Sequence, residues 1–143
     1  NPTPGIGEIE STNPCGEQPL LPYEYCNLGS INLSKFIDSY TKDFDYKRLG
    51  KCVTSAMHFL DNVIDMNNYP LAEIEAMAKG NRKVGLGVMG FAESLAMMEI
   101  SYSSQDAVSR AEKVMKFIND TALETSENLA EKRGVFPNYK DSI

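Results

Sequence analysis

Apolar residues recur every three or four positions in two long stretches of the chain, and this period predicts two amphipathic helices. The first is predicted over about 45–67 and the second over about 104–133. Shorter helices are predicted over 71–79 and 89–99. The apolar stripes of the two long helices consist of Leu49, Cys52, Val53, Ala56, Met57, Leu60, Val63 and Ile64, and of Val108, Ala111, Val114, Met115, Ile118, Ala122 and Leu129.

Residues that favour helix ends mark where these helices stop. Pro70 follows the first long helix, and Gly80 is predicted to close the helix after it. Ser103 with Asp106 resembles a capping box at the start of the last helix. Gly134 is predicted to end that helix, because glycine adopts the left-handed conformation common at helix C-termini.

The remaining sequence predicts little regular structure. Five of the seven prolines fall within the first 22 residues, so an extended, irregular loop is predicted over 1–25. Loose alternation from residue 26 to 33 predicts a short strand within a region spanning 26–37. The polar residues 38–45 are interpreted as a connection to the helices of 45–133. The expected fold class is mainly α with one or two short strands, formed by residues 1–143 as a single piece.

The stretch from Gly85 to Gly90 matches the pattern G-x-G-x-x-G of dinucleotide-binding folds. That function needs a buried strand directly before the glycines. Only Val84 is apolar among residues 79–84, so dinucleotide binding is not predicted. We interpret the stretch as a glycine-rich turn in which the backbone approaches a neighbour before a helix begins.

Composition and charge exclude several classes of protein. The chain has 143 residues and a net charge of −6, which disfavours a duplex nucleic-acid binder, because such a protein needs a basic face. No apolar run is long enough to span a membrane. Three cysteines and one histidine, with no C-x-x-C pair, predict neither a disulfide framework nor a metal site. With no signal peptide visible, a cytoplasmic location is expected. A start at Asn1 suggests a piece of a larger protein.

The segment Ser11–Pro19 is the best candidate for chemistry. Asn13, Cys15 and Glu17 occupy alternate positions, so in an extended chain their amide, thiol and carboxylate would share one side. The alternative is a surface loop with an incidental cysteine. Cys26, at the start of the predicted strand, is a candidate second thiol. Two further residues receive structural interpretations, namely core packing for Cys52 and a structural role for His58.

Residues Glu8–Leu33, which contain Asn-Pro-Cys-Gly-Glu, resemble the active-site segment of the ribonucleotide reductase catalytic subunit. Arg82–Glu93 and Gly134–Pro137 resemble two further stretches of that family. The sequence around Cys15 looks most like that of the adenosylcobalamin-dependent class II enzymes. Two alternatives remain open: a class I large subunit that uses a separate radical-generating subunit, and a non-enzymatic helical interaction module built on the two long helices.

The resemblance implies that the chain is a fragment of a ten-stranded α/β barrel, with Asn13–Glu17 as a loop inside it. It implies that Cys15 carries a transient thiyl radical, that Glu17 is a general base and that Asn13 orients the sugar hydroxyls. Cys26 would be one of two thiols that reduce the substrate. The implied partners are a ribonucleotide, an external dithiol reductant such as thioredoxin, and the rest of the barrel; the implied cofactor is adenosylcobalamin. The fragment alone is expected to be inactive, because the partner thiol of Cys26 is missing.

Overall fold

The computed structural model describes residues 1–143, and helices dominate it. The helices are α1 (Tyr46–Met66), α2 (Ala72–Asn81), α3 (Phe91–Met97) and α4 (Gln105–Arg133), with short 3₁₀ segments at Leu33–Phe36 and Pro137–Asp141. The strands are β1 (Ser11–Thr12), β2 (Pro19–Leu20), β3 (Asn27–Asn32), β4 (Ile37–Asp38), β5 (Asp43–Phe44) and β6 (Val84–Met89). The prediction of a mainly helical chain with short strands is confirmed. None of these helices combines the length and the apolar character needed to cross a membrane.

The bounds of α1 agree with the predicted helix, whereas the predicted end of α2 is wrong. Gly80 lies inside α2 and is buried, and a Cβ added there would lie 2.7 Å from Nδ2 of Asn138. The helix ends instead at Arg82, which adopts a left-handed conformation with φ of 47° and donates its N–H to the carbonyl of Ala78. Arg82 holds this unusual conformation because its guanidinium binds Asp61 and Asp65 on α1.

The N-terminal cap of the last helix lies one residue later than predicted. The backbone N–H of Ala107 donates to Oγ of Ser104 at 3.1 Å, so Ser104 rather than Ser103 caps α4. The predicted stop at Gly134 is confirmed, because this glycine has φ of +88° and donates its N–H to the carbonyl of Ala130. A neighbouring serine can provide the same cap, so the pattern located the helix start to within one residue.

The strands form three two-stranded sheets: β1 with β2, β3 with β6, and β4 with β5. In the first, Ser11 pairs with Leu20 in an antiparallel register. In the third, Ile37 pairs with Phe44, also antiparallel, within a stretch that the sequence had assigned largely to a connection. Two-residue strands of this kind carry too few positions for a period to be recognised.

The predicted turn at Gly85–Gly90 is also wrong, because most of it is strand β6. Its glycines allow close approach to β3, since a Cβ added at Gly85 would overlap Cδ2 of Leu28. Gly90 follows β6 with φ of +73°, and a Cβ there would overlap Oδ1 of Asn32. Helix α3 then begins at Phe91. The interpretation as a close backbone approach before a helix is therefore confirmed.

The chain divides into two compact units. The first consists of Asn1–Leu28, Phe59–Gly85 and Asn128–Ile143, and the second of Gly29–His58 and Leu86–Glu127. The second unit holds the main apolar core, formed by Ile31, Leu33, Phe44, Leu49, Val53, Leu95, Met98, Ala107, Val114 and Ile118. Cys52 packs against this core, which confirms its interpretation, whereas His58 is exposed on α1.

The first unit combines a few buried apolar residues with buried polar ones. Its buried polar and charged residues are Thr3, Glu24, Asn27 and Asn81. All four candidate site residues, Asn13, Cys15, Glu17 and Cys26, belong to this unit.

Candidate active site

The loop that carries Cys15 is closed by the two residues at its ends. Asn13 donates its backbone N–H to the carbonyl of Gln18 at 3.2 Å, and the N–H of Gln18 donates to Oδ1 of Asn13 at 2.9 Å. Strands β1 and β2 continue from these ends as a hairpin. The side chain of Asn13 therefore acts as a structural closure of the loop in addition to any role toward a ligand.

The loop itself is a turn, so the assumption of an extended chain between Asn13 and Glu17 is wrong. Gly16 adopts φ of +81° and donates its N–H to the carbonyl of Asn13 at 3.0 Å. Glycine adopts this conformation at little cost because it has no Cβ. Alternate positions consequently do not share one side in the way that a strand would impose.

Cys15 and Glu17 are both exposed in this turn. A Cβ added at Gly16, between them, would meet no atom within 4 Å. The thiol and the carboxylate are therefore accessible to a ligand that approaches the tip of the loop, whereas Asn13 at the base is half-buried.

Cys26 lies half-buried beside the base of the same loop. Its Sγ donates weakly to the carbonyl of Asn27 at 3.6 Å. A Cβ added at Gly85 would lie 3.7 Å from this Sγ and 3.2 Å from Nε2 of Gln18. Gln18 and Cys26 thus converge on one glycine of β6, which brings the base of the Cys15 loop and the second thiol together.

Residues on both sides of Cys26 are anchored. Tyr25 packs its ring edge-to-face against Tyr69 with centroids 5.8 Å apart. Nδ2 of buried Asn27 donates to the carbonyl of Leu60 at 2.8 Å. These contacts with α1 and the segment after it restrict the movement of the backbone that carries the thiol.

The environment of Cys26 favours the protonated thiol. Burial raises the pKa of Cys26, the ammonium of Lys83 opposes this, and the carboxylates of Glu24 and Glu17 raise the pKa further. Glu17 therefore acts electrostatically on Cys26 although it belongs to the Cys15 loop.

A largely buried polar cluster lies next to this segment; it comprises Glu24, Asn81, Lys83 and Asn138 and is called the Glu24 cluster below. Nζ of Lys83 lies 2.8 Å from Oε2 of Glu24, and Nδ2 of Asn81 donates to Oε1 at 2.7 Å. Nδ2 of Asn138 donates in turn to Oδ1 of Asn81 at 2.7 Å. The cluster joins three distant stretches of sequence.

Burial of Glu24 alone would raise its pKa, but hydrogen bonds from Lys83, from the N–H of Leu21 and from Asn81 outweigh burial and hold the pKa below its usual value. Glu24 is therefore ionised at neutral pH. Sequence analysis missed the Glu24 cluster, because its members lie up to 114 positions apart by number and show no period or motif. No group of three His, Cys, Asp or Glu side chains in the chain is arranged to hold a metal ion.

An accessible thiol, a neighbouring carboxylate and a second, protonated thiol have the chemistry of a thiol-dependent oxidoreductase. Residues 1–143 match the family model described as ribonucleotide reductase, barrel domain, and the chain belongs to this family. The family resemblance found in the sequence is thereby confirmed over the whole chain.

Individual relatives agree with this assignment. The chain is 55% identical over 142 residues to a vitamin B12-dependent ribonucleoside-diphosphate reductase of Thermoplasma acidophilum, covering 99% of the chain and 18% of the relative. It is 51% identical over 142 residues to a protein of the same name from Mycobacterium tuberculosis, covering 99% of the chain and 20% of the relative. A ribonucleoside-diphosphate reductase subunit alpha of Chlamydia trachomatis is 39% identical over 140 residues, covering 95% of the chain and 13% of the relative. The chain thus spans about a fifth or less of the length of these relatives.

Proposed function

We propose that this chain is the active-site segment of a B12-dependent reductase that converts ribonucleoside diphosphates to deoxyribonucleoside diphosphates. The observation that carries the proposal is the closed turn that exposes Cys15 and Glu17 while Cys26 lies protected at its base. A radical reduction needs these three groups: a thiol that takes and returns a hydrogen atom, a base, and a separate reductant.

The comparison of identities supports the B12-dependent class. The two B12-dependent relatives are 55% and 51% identical over 99% of the chain, whereas the subunit alpha of Chlamydia trachomatis is 39% identical over 95%. The names of all three relatives also specify a diphosphate, which supports that level of substrate phosphorylation.

In the proposed reaction, the sulfur radical of Cys15 takes the hydrogen atom from the 3′ carbon of the ribose, which forms a Cys15 thiol and a substrate radical. Glu17 accepts the proton of the 3′ hydroxyl, which requires a carboxylate within hydrogen-bond reach. The 2′ hydroxyl takes a proton from one thiol of the reducing pair and leaves as water. After reduction of the sugar, Cys15 returns the hydrogen atom to the 3′ carbon and is again a radical.

Asn13 has two tasks in this proposal, and its amide group permits both. Oδ1 accepts the hydrogen bond that closes the loop, so the NH₂ group is the part that we assign to the sugar hydroxyls. An amide fixed by one hydrogen bond presents its other group in a defined direction, which orients a substrate more effectively than a freely rotating side chain.

Cys26 and a partner thiol would supply the two electrons and the hydrogen for reduction of the 2′ position, and would end as a disulfide. An external dithiol, such as a thioredoxin, would restore both thiols. Cys52 does not suit the role of partner, because it packs against the apolar core of the second unit. We therefore propose that a partner thiol comes from a region beyond these 143 residues, and that this chain alone does not turn over.

Adenosylcobalamin, when bound, would supply radical chemistry to the accessible thiol of Cys15. The groove in the first unit that Ile6–Glu10, Leu21, Pro22 and Met77 line has a volume of 440 Å³, and it includes none of the four candidate site residues.

The proposal can be tested in a full-length reductase that contains this segment. Deoxyribonucleotide formation is measured with a ribonucleoside diphosphate, adenosylcobalamin and a dithiol, for the unchanged protein, Cys15→Ser and Cys52→Ala. We expect no product from Cys15→Ser and retained turnover from Cys52→Ala, which removes a thiol from the helical core. Turnover by Cys15→Ser would refute the proposal.

A further inference from the structure

One ammonium group connects the two cysteine segments of the first unit. Nζ of Lys83 lies 3.2 Å from the carbonyl oxygen of Pro19 and 2.8 Å from Oε2 of Glu24. Pro19 directly follows the loop that Asn13 and Gln18 close, and Glu24 lies two positions before Cys26. Lys83 therefore contacts the end of one cysteine segment and the beginning of the other.

The contact between Lys83 and Glu24 is buried, which distinguishes it from the surface ion pairs of the chain. The Lys83 side chain is 14% exposed and the Glu24 side chain is fully buried, whereas Lys79 and Glu75 on α2 are each nearly half exposed. A buried pair resists separation, because removing one partner leaves an uncompensated charge in the interior. An exposed pair contributes little to rigidity, because water screens it.

Three hydrogen bonds fix the carboxylate of Glu24 in one orientation. Oε2 accepts from Lys83 and from the N–H of Leu21 at 2.8 Å, and Oε1 accepts from Asn81. The N–H of Glu24 itself donates to the carbonyl of Leu21 at 3.0 Å. The tight turn from Leu21 to Glu24 thus depends on the same carboxylate that holds Lys83.

We propose that Lys83 is a positioning residue that fixes the base of the Cys15 loop relative to the segment that carries Cys26. Its catalytic consequence rests on the function proposed above, whereas the positioning is a property of the chain itself. A lysine suits this task because its ammonium presents three donors and reaches a carbonyl and a carboxylate in different directions. The planar fork of an arginine would not serve both acceptors equally.

The positioning is tested in the 143-residue chain by amide hydrogen exchange of Leu21 and Glu24, with the amides of α4 as an internal reference. We compare Lys83→Met, which keeps the volume but removes the charge, with Lys79→Met on α2. Lys79→Met is the matched control because it breaks an ion pair of the same residue types at the surface. We expect exchange at Leu21 and Glu24 to be about tenfold faster or more in Lys83→Met and unchanged in Lys79→Met.

Unchanged exchange at Leu21 and Glu24 in Lys83→Met would overturn the proposal. If Lys83→Met loses protection in α4 as well, Glu24→Gln decides, because glutamine keeps a hydrogen-bond acceptor while removing the charge that holds Lys83. An increase in exchange at residues 19–26 that exceeds the increase in α4 in Glu24→Gln supports the positioning role, and an equal or smaller increase at residues 19–26 refutes it.

The catalytic consequence is tested in the full-length reductase by the ratio of released base to deoxyribonucleotide. A misplaced Cys26 leaves hydrogen abstraction by Cys15 intact but delays reduction, so Lys83→Met should raise this ratio while 3′-hydrogen exchange continues. Lys83→Arg should restore part of the normal ratio. A uniform loss of all products, with no change in ratio, would refute the role for Lys83. Failure of the proposed function would instead appear as turnover by Cys15→Ser, so the two failures are distinguishable.

Discussion

The N–H of Gln18 donates to the side-chain oxygen of Asn13 at 2.9 Å, so the Asn13 side chain closes the loop that exposes Cys15. The oxygen of this amide closes the loop, and its NH₂ group is the one that we assign to a substrate. Variants that change only one of these groups can therefore distinguish loop closure from substrate orientation.

Asn13→Asp should keep the loop closed, whereas Asn13→Ala should open it. Aspartate retains an oxygen acceptor for the N–H of Gln18, and alanine leaves this donor without its partner, at a cost of about 1 kcal/mol. We expect about fivefold faster amide exchange of Gln18 in Asn13→Ala and little change in Asn13→Asp. In the full-length reductase both variants should lose turnover, because both lack the NH₂ group. Normal turnover in Asn13→Asp would contradict the role in substrate orientation.

Glu24 should make the stability of the chain depend on pH in the acid range. Its folded pKa lies below the ordinary value of 4.5, so on acidification the unfolded chain binds the proton first. The stabilisation is complete above that value and is lost as the pH falls through the lower, folded pKa.

Urea denaturation at pH 7 and at about pH 3 checks this expectation. Glu24→Gln should lose about 3 kcal/mol of unfolding free energy at pH 7, because it leaves Lys83 buried without its carboxylate, and the difference from the unchanged chain should shrink at low pH. Glu127→Gln on the exposed surface of α4 controls for the loss of one negative charge. An equal loss in Glu24→Gln at both pH values would contradict the ionised state of Glu24.

The long helices were predictable because their information is local and periodic. The bounds of α1 followed from a stripe of apolar residues, and Gly134 ended α4 as its conformation requires. Strand β6 was not predictable, because several glycines in a short stretch are typical of a turn. Gly85 instead allows the close approach of Leu28 from β3, which lies more than fifty positions away.

The candidate site was predictable only as far as residue types in a short motif reveal it. Asn13, Cys15 and Glu17 lie within five positions, so they were recognised together, but their geometry was not, because the left-handed conformation of Gly16 turns the chain. The contact of Lys83 with Glu24 was not predicted from the sequence, because the two residues lie 59 positions apart. Such a contact is set by the tertiary fold and leaves no local pattern.

Gly90 and Gly87 should respond differently to replacement by alanine although both belong to the same glycine pattern. Gly90 has φ of +73°, and a Cβ would overlap Oδ1 of Asn32, which accepts the N–H of Ser34. At Gly87 a Cβ would lie 3.5 Å from Oγ of Ser30, an ordinary contact. We expect Gly90→Ala to lose about 2 kcal/mol of unfolding free energy and Gly87→Ala to lose less, as measured by urea denaturation. Equal losses would contradict the different requirements of the two positions.

Replacement of Cys15 by serine and replacement of Cys26 by serine should give different products in the full-length reductase. Cys15→Ser removes the sulfur that takes the hydrogen atom, so we expect neither 3′-hydrogen exchange nor base release. Cys26→Ser leaves that first step possible but removes half of the reducing pair, so the substrate radical should form and release its base. Glu17→Gln should retain the pattern of products while slowing the first step by about 10²–10⁴-fold. Identical behaviour of the two serine variants, or normal turnover of Cys26→Ser with a reductant that requires the internal disulfide, would refute this division of roles.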